Sequence, residues 1–400
     1  MVDRFTAVIS GDPSGGVVTV GGLEVDAITA TDPLVLSAAV LVVVLVGAGS
    51  LVLYRWLNRP PGDRLRRLLA KRDEVAILMH PNPDPDAMAC AMGVARLAET
   101  VGTDVTLQYP GQIRHQENRA FRTLLELDLE QIEAASELAA DDVVLVDHNT
   151  ARGFTGSQQI EPIAVVDHHP GNGSGTQFTD VRPDYGAAST IVVEYLTDIG
   201  AKLAAEVDDG EASAPLVSES LATGLLYGIQ SDTNQLTKGC SPAEFDASAT
   251  LFPGIDEDLL DRIANPQVAD EVLEIKADAI RNRRVEGSFA ICDVGSIGNV
   301  DAIPQAADEL MHLEGVTAVV VYGENDGTLH LSGRSRDDRV HMGETLRHVV
   351  SDIPMASAGG HARMGGGEIS IEHMAGLGPS DGVSREEFEQ RLFAGLSGER

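Results

Sequence analysis

Five short polar clusters stand out in the sequence: His80-Pro-Asn-Pro-Asp84-Pro-Asp86, Val146-Asp147-His148-Asn149, Val166-Asp167-His168-His169-Pro170, Ser231-Asp232-Thr233 and Gly359-Gly360-His361. The first four offer carboxylates and imidazoles without a thiolate, the donor set that hard to borderline divalent ions such as Mn²⁺ prefer. Gathered without cations, such groups repel: like charges about 4 Å apart at an effective dielectric of ~20 cost roughly 4 kcal/mol per pair. A dinuclear metal centre removes that conflict. Pro81, Pro83 and Pro85 oppose helix formation and keep their loop extended, so Asp84 and Asp86 are expected to share a face.

The apolar runs beside these clusters say how they would be brought together. Val75–Met79, Val105–Tyr109, Val143–Val146 and Ile163–Val166 are short, β-branched and unalternating, as strands of a parallel sheet covered on both faces are. Helical patterns over Asp86–Val101, Gln116–Leu127 and Ala187–Leu196 complete an open α/β domain. Ligands gather at the carboxyl ends of strands in such sheets, and three of the clusters fall there. An acidic insertion, Glu206–Pro215, precedes a helix that leads to Asp232, and a charged helical segment runs from Ala243 to about Arg284. Beyond Gly287, strand-like Phe289–Val294, Ala318–Tyr322 and Leu329–Gly333, with helices near Ala302–Leu313 and His341–Val349, predict a smaller α/β domain.

Sixty-two acidic against 29 basic residues leave a formal charge of −33, unsuited to gripping nucleic acid through a broad basic face. With lysine only at Lys71, Lys202, Lys238 and Lys276, the composition is that of a salt-loving cytoplasm, where a screening length of ~3 Å at about 1 M salt tolerates self-repulsion. Cys90, Cys240 and Cys292 show no CxxC spacing and read as small buried residues of a reducing compartment.

From Pro33 to Tyr54 no charge appears, enough as a helix to span about 33 Å at ~1.5 Å per residue. Arg4 alone precedes it, whereas Arg55, Arg59, Arg64, Arg66, Arg67, Lys71 and Arg72 follow, which puts the C-terminal side in the cytoplasm. The expected organisation is an extracytoplasmic tail (1–32) with a hairpin at Gly15-Gly16 or Gly21-Gly22, a transmembrane helix (33–56) and a basic juxtamembrane linker (57–74). A catalytic α/β domain (75–260), a helical linker (261–286), a substrate-binding α/β domain (287–378) and a charged C-terminal helix (379–400) follow.

On these motifs the chain resembles the DHH phosphoesterase family, with its namesake triplet at Asp167, His168 and His169, over about 75–375 and including the family's C-terminal associated domain. The resemblance implies that His80 and Asp84 hold one Mn²⁺, that Asp86, His168 and Asp232 hold the other, and that Asp147 bridges them. It implies that Asp167 orients a histidine and that His169 faces substrate, binding phosphate or protonating the leaving oxygen. In the second domain it implies Arg334 and Ser335 on a substrate-binding strand, with Gly359, Gly360 and His361 completing the clamp. Gly365-Gly366-Gly367 departs from the alanine-rich continuation of oligonucleotide-degrading members.

The implied function is a membrane-anchored, Mn²⁺-dependent phosphodiesterase acting in the cytoplasm on cyclic di-AMP or a short oligonucleotide, with a homodimer admitted and no large duplex partner. The alternatives are a RecJ-like single-strand exonuclease, a 3′-phosphoadenosine 5′-phosphate phosphatase and a non-catalytic nucleotide-binding membrane regulator. His148 is expected to hydrogen-bond behind the ligands. Arg114, His115 and Asn118 are expected at substrate or at a solvated helix start, and Ser189 and Thr190 at a helix cap.

Overall fold

β-Branched runs make strands because their side chains pack well on a pleated surface, and here they build two six-stranded sheets. A computed structural model describes residues 59–113, 115–206, 215–379 and 381–398, together with 18–20, 23–25, 37, 41–47 and 49. Strands β1 (Val18–Val20) and β2 (Leu23–Val25) pair antiparallel, Val20 opposite Leu23, and both expected glycine turns lie outside the described residues. Residues 41–47 form helix α1, with its side chains exposed. Apart from residues 37 and 49, the remainder of the expected transmembrane span lies outside the described residues, as does Arg114. Among the described residues no helix is long and apolar enough to cross a membrane.

The first sheet has the order β5-β4-β3-β6-β7-β8, formed by Glu130–Ile132, Asp104–Pro110, Glu74–Leu78, Val143–Val146, Ala164–Asp167 and Phe178–Val181. Every pairing is parallel, and the central strands are buried on both faces, which is why they show no alternation. Helices α3 (Pro85–Glu99), α5 (Ala188–Asp198) and α6 (Glu219–Asp232) share one large apolar core with the sheet. α4 (Gln116–Leu124) follows β4, and α7 (Pro242–Leu251) and α8 (Glu257–Ala264) follow α6.

Two segments expected as linkers belong to domains instead. Helix α2 (Pro61–Leu69), within the supposed juxtamembrane linker, buries Leu65, Leu68 and Leu69 in the core of the first domain, while Arg64 and Arg67 are exposed and Arg66 donates to Thr100. Its approach is so close that a Cβ on Gly62 would stand 2.5 Å from the backbone of Tyr195. Helix α9 (Asp270–Asn282), within the supposed helical linker, buries Val272, Ile275 and Ala279 in the second domain. In both, an apolar stripe at helical spacing outweighs the charged composition.

The second sheet has the order β11-β12-β13-β14-β16-β15, formed by Arg284–Glu286, Phe289–Ser296, Ala318–Asn325, Thr328–Ser335, Met364–Ser370 and Ser357–Gly360. Only β12 and β13 pair parallel. α9 and α10 (Ala302–Leu310) share a core with one face, and α11 (Met342–Val349) and α12 (Arg385–Ser397) with the other. α12 is therefore no charged appendage: Phe388 and Leu392 are fully buried, each worth roughly 1.5–3 kcal/mol of removal from water. The second domain thus runs from about α9 to α12.

Candidate metal centre

The four clusters of carboxylates and imidazoles sit where a buried strand or helix ends. Asp84 is the N-cap of α3, its Oδ1 accepting from the Ala87 amide at 3.0 Å, and Pro85 occupies the first turn, where its missing N–H costs nothing. Asp86 therefore lies inside the helix, fully buried, and does not share an extended face with Asp84. The two carboxylates fall into different groups. Asp147 follows β6 in the left-handed region at φ 58°, a conformation that costs a non-glycine residue about 1–3 kcal/mol and is retained where the surroundings impose it.

Three overlapping groups result, in each of which the donor atoms all lie within 4.8 Å of one another: His80, Asp84 and Asp147; Asp86, His168 and Asp232; and Asp147, His168 and His169. His80 Nε2 stands 3.4 Å from Asp84 Oδ2 and 3.3 Å from Asp147 Oδ2. His168 Nε2 stands 3.3 Å from both Asp147 Oδ1 and Asp232 Oδ2, and 4.0 Å from Asp86 Oδ2. Asp147 contributes to both halves through different oxygens. These contacts are close but not aligned as hydrogen bonds: both carboxylate oxygens of Asp147 and Nε2 of His168 are buried without a hydrogen-bond partner. Buried polar atoms left so are costly, and a cation among them is what such donors fit.

The ring tautomers agree with that geometry. Nδ1 of His80 faces the Pro81 carbonyl at 2.9 Å and Nδ1 of His168 faces the Tyr185 carbonyl at 3.1 Å. Each carbonyl can only accept, so Nδ1 carries a proton, and Nε2 is the ring nitrogen that faces the cluster. Burial alone would push both histidines down, but Asp147 and Asp84 carry His80 up to about 11, and Asp147 and Asp232 carry His168 up to about 12. Burial, with the charges of Asp147 and Asp232, holds Asp86 well above the usual carboxylate range. Asp147 is equally buried, yet His168 and His80 hold it below that range.

Asp167 orients His169 rather than His168: its Oδ1 accepts from the His169 amide at 3.0 Å and lies 2.9 Å from the ring Nδ1. That contact raises the pKa of His169, whose side chain is half exposed. The other Asp167 oxygen accepts from Asn149 at 2.6 Å, a role the sequence motif contained but did not assign. His148, buried, faces the Val146 carbonyl at 2.9 Å behind the ligands, and its burial holds it down at about 4. Asn118 is a buried clip, donating to the Pro83 carbonyl at 3.0 Å and fixing α4 to the His80–Asp86 loop. Ser189 is no side-chain cap; its amide, with that of Ala188, is capped by Asp86.

The second domain is less as expected. A cavity of about 510 Å³ is lined by Gly359, Gly366 and Gly367 together with His330, Ser332 and Ser357. Arg334 lies further along β14, its guanidinium paired with Asp308 at 2.6 Å and donating to Ser332 at 3.0 Å. Ser335 does not face the cavity: it is buried in a turn, exchanging hydrogen bonds with the backbone of Asp337, because its side chain projects to the opposite face of the strand. Gly360 and His361 sit at the β15–β16 turn, where the His361 amide donates to the Met364 carbonyl, and neither lines this cavity. An adjoining cleft of about 760 Å³ runs between the domains, lined on one side by Tyr109, Gln112, Arg119 and Arg122 and on the other by Asp301 and His330.

The DHH family, N-terminal domain, matches residues 74–229, and the DHHA1 domain matches residues 286–377. An uncharacterized protein of Methanocaldococcus jannaschii is 34% identical over 75% of this chain and 59% of its own length. The cyclic-di-AMP phosphodiesterase GdpP of Geobacillus thermodenitrificans is 28% identical over 68% of this chain and 42% of its own. A probable manganese-dependent inorganic pyrophosphatase of Exiguobacterium is 27% identical over 37% of this chain and 48% of its own. The chain thus spans about two fifths to three fifths of the curated relatives it matches. The crystal structure of an exopolyphosphatase-related protein from Bacteroides fragilis shares the fold, with a TM-score of 0.63 at 16% identity over 84% of this chain and 95% of that one. The histidine and carboxylate cluster and the manganese-dependent relatives together indicate a divalent metal site.

Proposed function

This chain belongs to the DHH family, and from that premise we propose that it is a manganese-dependent phosphodiesterase acting on a small nucleotide, cyclic di-AMP or a short oligonucleotide. His80 and Asp84 would hold one ion and Asp86, His168 and Asp232 the other, with Asp147 available to both. The observation that carries this reading is the pair of buried Asp147 oxygens without hydrogen-bond partners, each turned to a different histidine. When bound, two divalent ions polarise phosphoryl oxygens and make water a stronger nucleophile at neutral pH.

The chain's own residues supply orientation and a proton. Asp167, itself held by Asn149, fixes the His169 ring through Nδ1, which leaves Nε2 as the ring's remaining proton donor. Asp167 raises the pKa of His169, which favours the protonated ring that can give a proton to the leaving oxygen. The cleft beside Asn82 and Gln112 leads from the metal loop toward the glycine-lined cavity of the second domain, which supports a substrate longer than one phosphate. The named activity of the Geobacillus relative supports a cyclic dinucleotide.

The same reading anchors the chain in a membrane with its catalytic part on the cytoplasmic side. Its supports are the uncharged stretch from Pro33 to Tyr54, the exposed apolar side chains Leu41 to Val46, and the arginines that follow. The full chain in detergent with Mn²⁺, offered cyclic di-AMP, linear dinucleotide, a short RNA, 3′-phosphoadenosine 5′-phosphate and pyrophosphate, is expected to turn over the dinucleotides fastest. Hydrolysis no faster than that of an Asp147→Ala, His168→Ala double variant overturns the enzymatic reading. Recovery of the chain wholly in the soluble fraction overturns the anchor.

A further inference from the structure

Between β8 and α5 the chain forms a short strap, residues 182–187, which with the first two residues of α5 meets the metal centre mainly through its backbone. The Arg182 amide donates to the Asp167 carbonyl at 2.9 Å. The Tyr185 carbonyl faces His168 Nδ1, and the Ala188 and Ser189 amides donate to Asp86 at 2.6 and 2.8 Å. Two ligands of the same half of the centre are thus aimed by one peptide segment. His80 and Asp84, in the other half, are aimed by their own loop, through the Pro81 carbonyl and the Ala87 amide.

On its outer side the strap is clamped by side chains remote from the ligand cluster. Arg182 forks onto both oxygens of Asp180 at 2.8 Å, pairs with Glu194, and lies over the Tyr185 ring at 5.0 Å. The Tyr185 hydroxyl donates to Glu194 at 2.7 Å, while the Gly186 amide donates to the fully buried Glu244 at 2.9 Å. We propose that Arg182, Glu194 and Tyr185 are positioning residues for one metal only, holding the strap in the register at which it aims His168 and Asp86. The proposal rests on the two-metal reading above. A carbonyl held in place behind a ligating imidazole fixes its tautomer and direction, and losing such support typically weakens metal binding roughly tenfold to a hundredfold.

Calorimetric and electron paramagnetic resonance titrations of the full chain with Mn²⁺ test it. Wild type is expected to show two sites. Arg182→Ala is expected to weaken one of them about tenfold or more and leave the other unchanged, with Arg182→Lys between, since lysine keeps the charge but not the fork. Tyr185→Phe, which keeps the ring and the fold, is expected to move the same site by a few-fold, and it decides the matter if Arg182→Ala does not fold. Variants that shift the melting temperature but neither affinity, or both affinities equally, overturn the inference. A wild type that takes up fewer than two Mn²⁺ overturns the two-metal reading, and this inference with it.

Discussion

In the first sheet every strand runs parallel, and its carboxyl edge delivers side chains: Asp147 after β6, and Asp167, His168 and His169 at the end of β7. In the second sheet the strands are mixed, and the part beside the cavity delivers backbone, because β15 and β16 carry Gly359, Gly366 and Gly367 there. A sheet edge rich in buried carboxylate and imidazole can hold cations and move charge. A glycine-lined surface offers close approach to a flat or extended group and little chemistry. On the function proposed above, that difference would give turnover to the first sheet and recognition to the second, a division that kinetics can separate because binding energy common to ground and transition state changes KM and not kcat.

Asp147→Asn should produce the largest effect, a fall in kcat of roughly 10³-fold or more, about 4 kcal/mol of barrier. It removes the charge common to both halves of the centre while keeping the side chain's shape. KM should stay near the wild-type value, and steady-state kinetics at saturating Mn²⁺ measure both. A variant that retained most of its kcat would break the division at its first member.

Metal uptake should come next, through its dependence on pH. His80 and His168, pushed up to about 11 and about 12, hold protons in the metal-free protein across neutral pH, and a cation must expel them. Mn²⁺ affinity should therefore rise with pH between about 6 and 9, by ~10-fold per unit for each ion, one histidine proton leaving with each. The metal-free protein should show the opposite slope. A raised histidine pKa lends stability that is fully present below about 6.5 and is lost as pH rises toward the folded value. Calorimetry in buffers of different ionisation enthalpy counts the protons released, and an enthalpy independent of buffer would sink the linkage.

How much of this was legible in the sequence follows from the same contrast. Side-chain donors at the ends of β-branched runs announce themselves, so His80, Asp84, Asp86, Asp147, His168 and Asp232 were readable, and the structure brings them together. Backbone roles do not: the Tyr185 carbonyl and the Ala188 and Ser189 amides carry no signature in residue type. Pro85 misled locally, because at the first turn of a helix it starts the element that elsewhere it breaks, and Asp84 and Asp86 part company there. α12 read as charged because Phe388, Leu392, Phe393 and Leu396 are spaced among glutamates and arginines, and only the stripe reaches the core. The resemblance puts Arg334 on a substrate-binding strand, yet Asp308 already occupies its guanidinium fork.

Gly366→Val gives the smallest effect and the sharpest test of the second sheet. Gly366 lies on β16 paired with Ser332 and Gly359, and a Cβ built there meets only the Leu331 carbonyl oxygen, at 3.4 Å. Its backbone is ordinary strand, which valine favours, so the fold should accept the change. The added isopropyl group projects into the cavity of about 510 Å³, where it takes room from substrate. KM should rise about tenfold with kcat unchanged, the signature of lost uniform binding. Gly367→Val is the contrasting control, since a Cβ there would stand 2.6 Å from the Ser357 carbonyl oxygen, so that variant should lose stability as well. If Gly366→Val instead lowered kcat at saturating substrate and left KM alone, the cavity would be acting on the chemical step, and recognition and turnover would not be divided between the sheets.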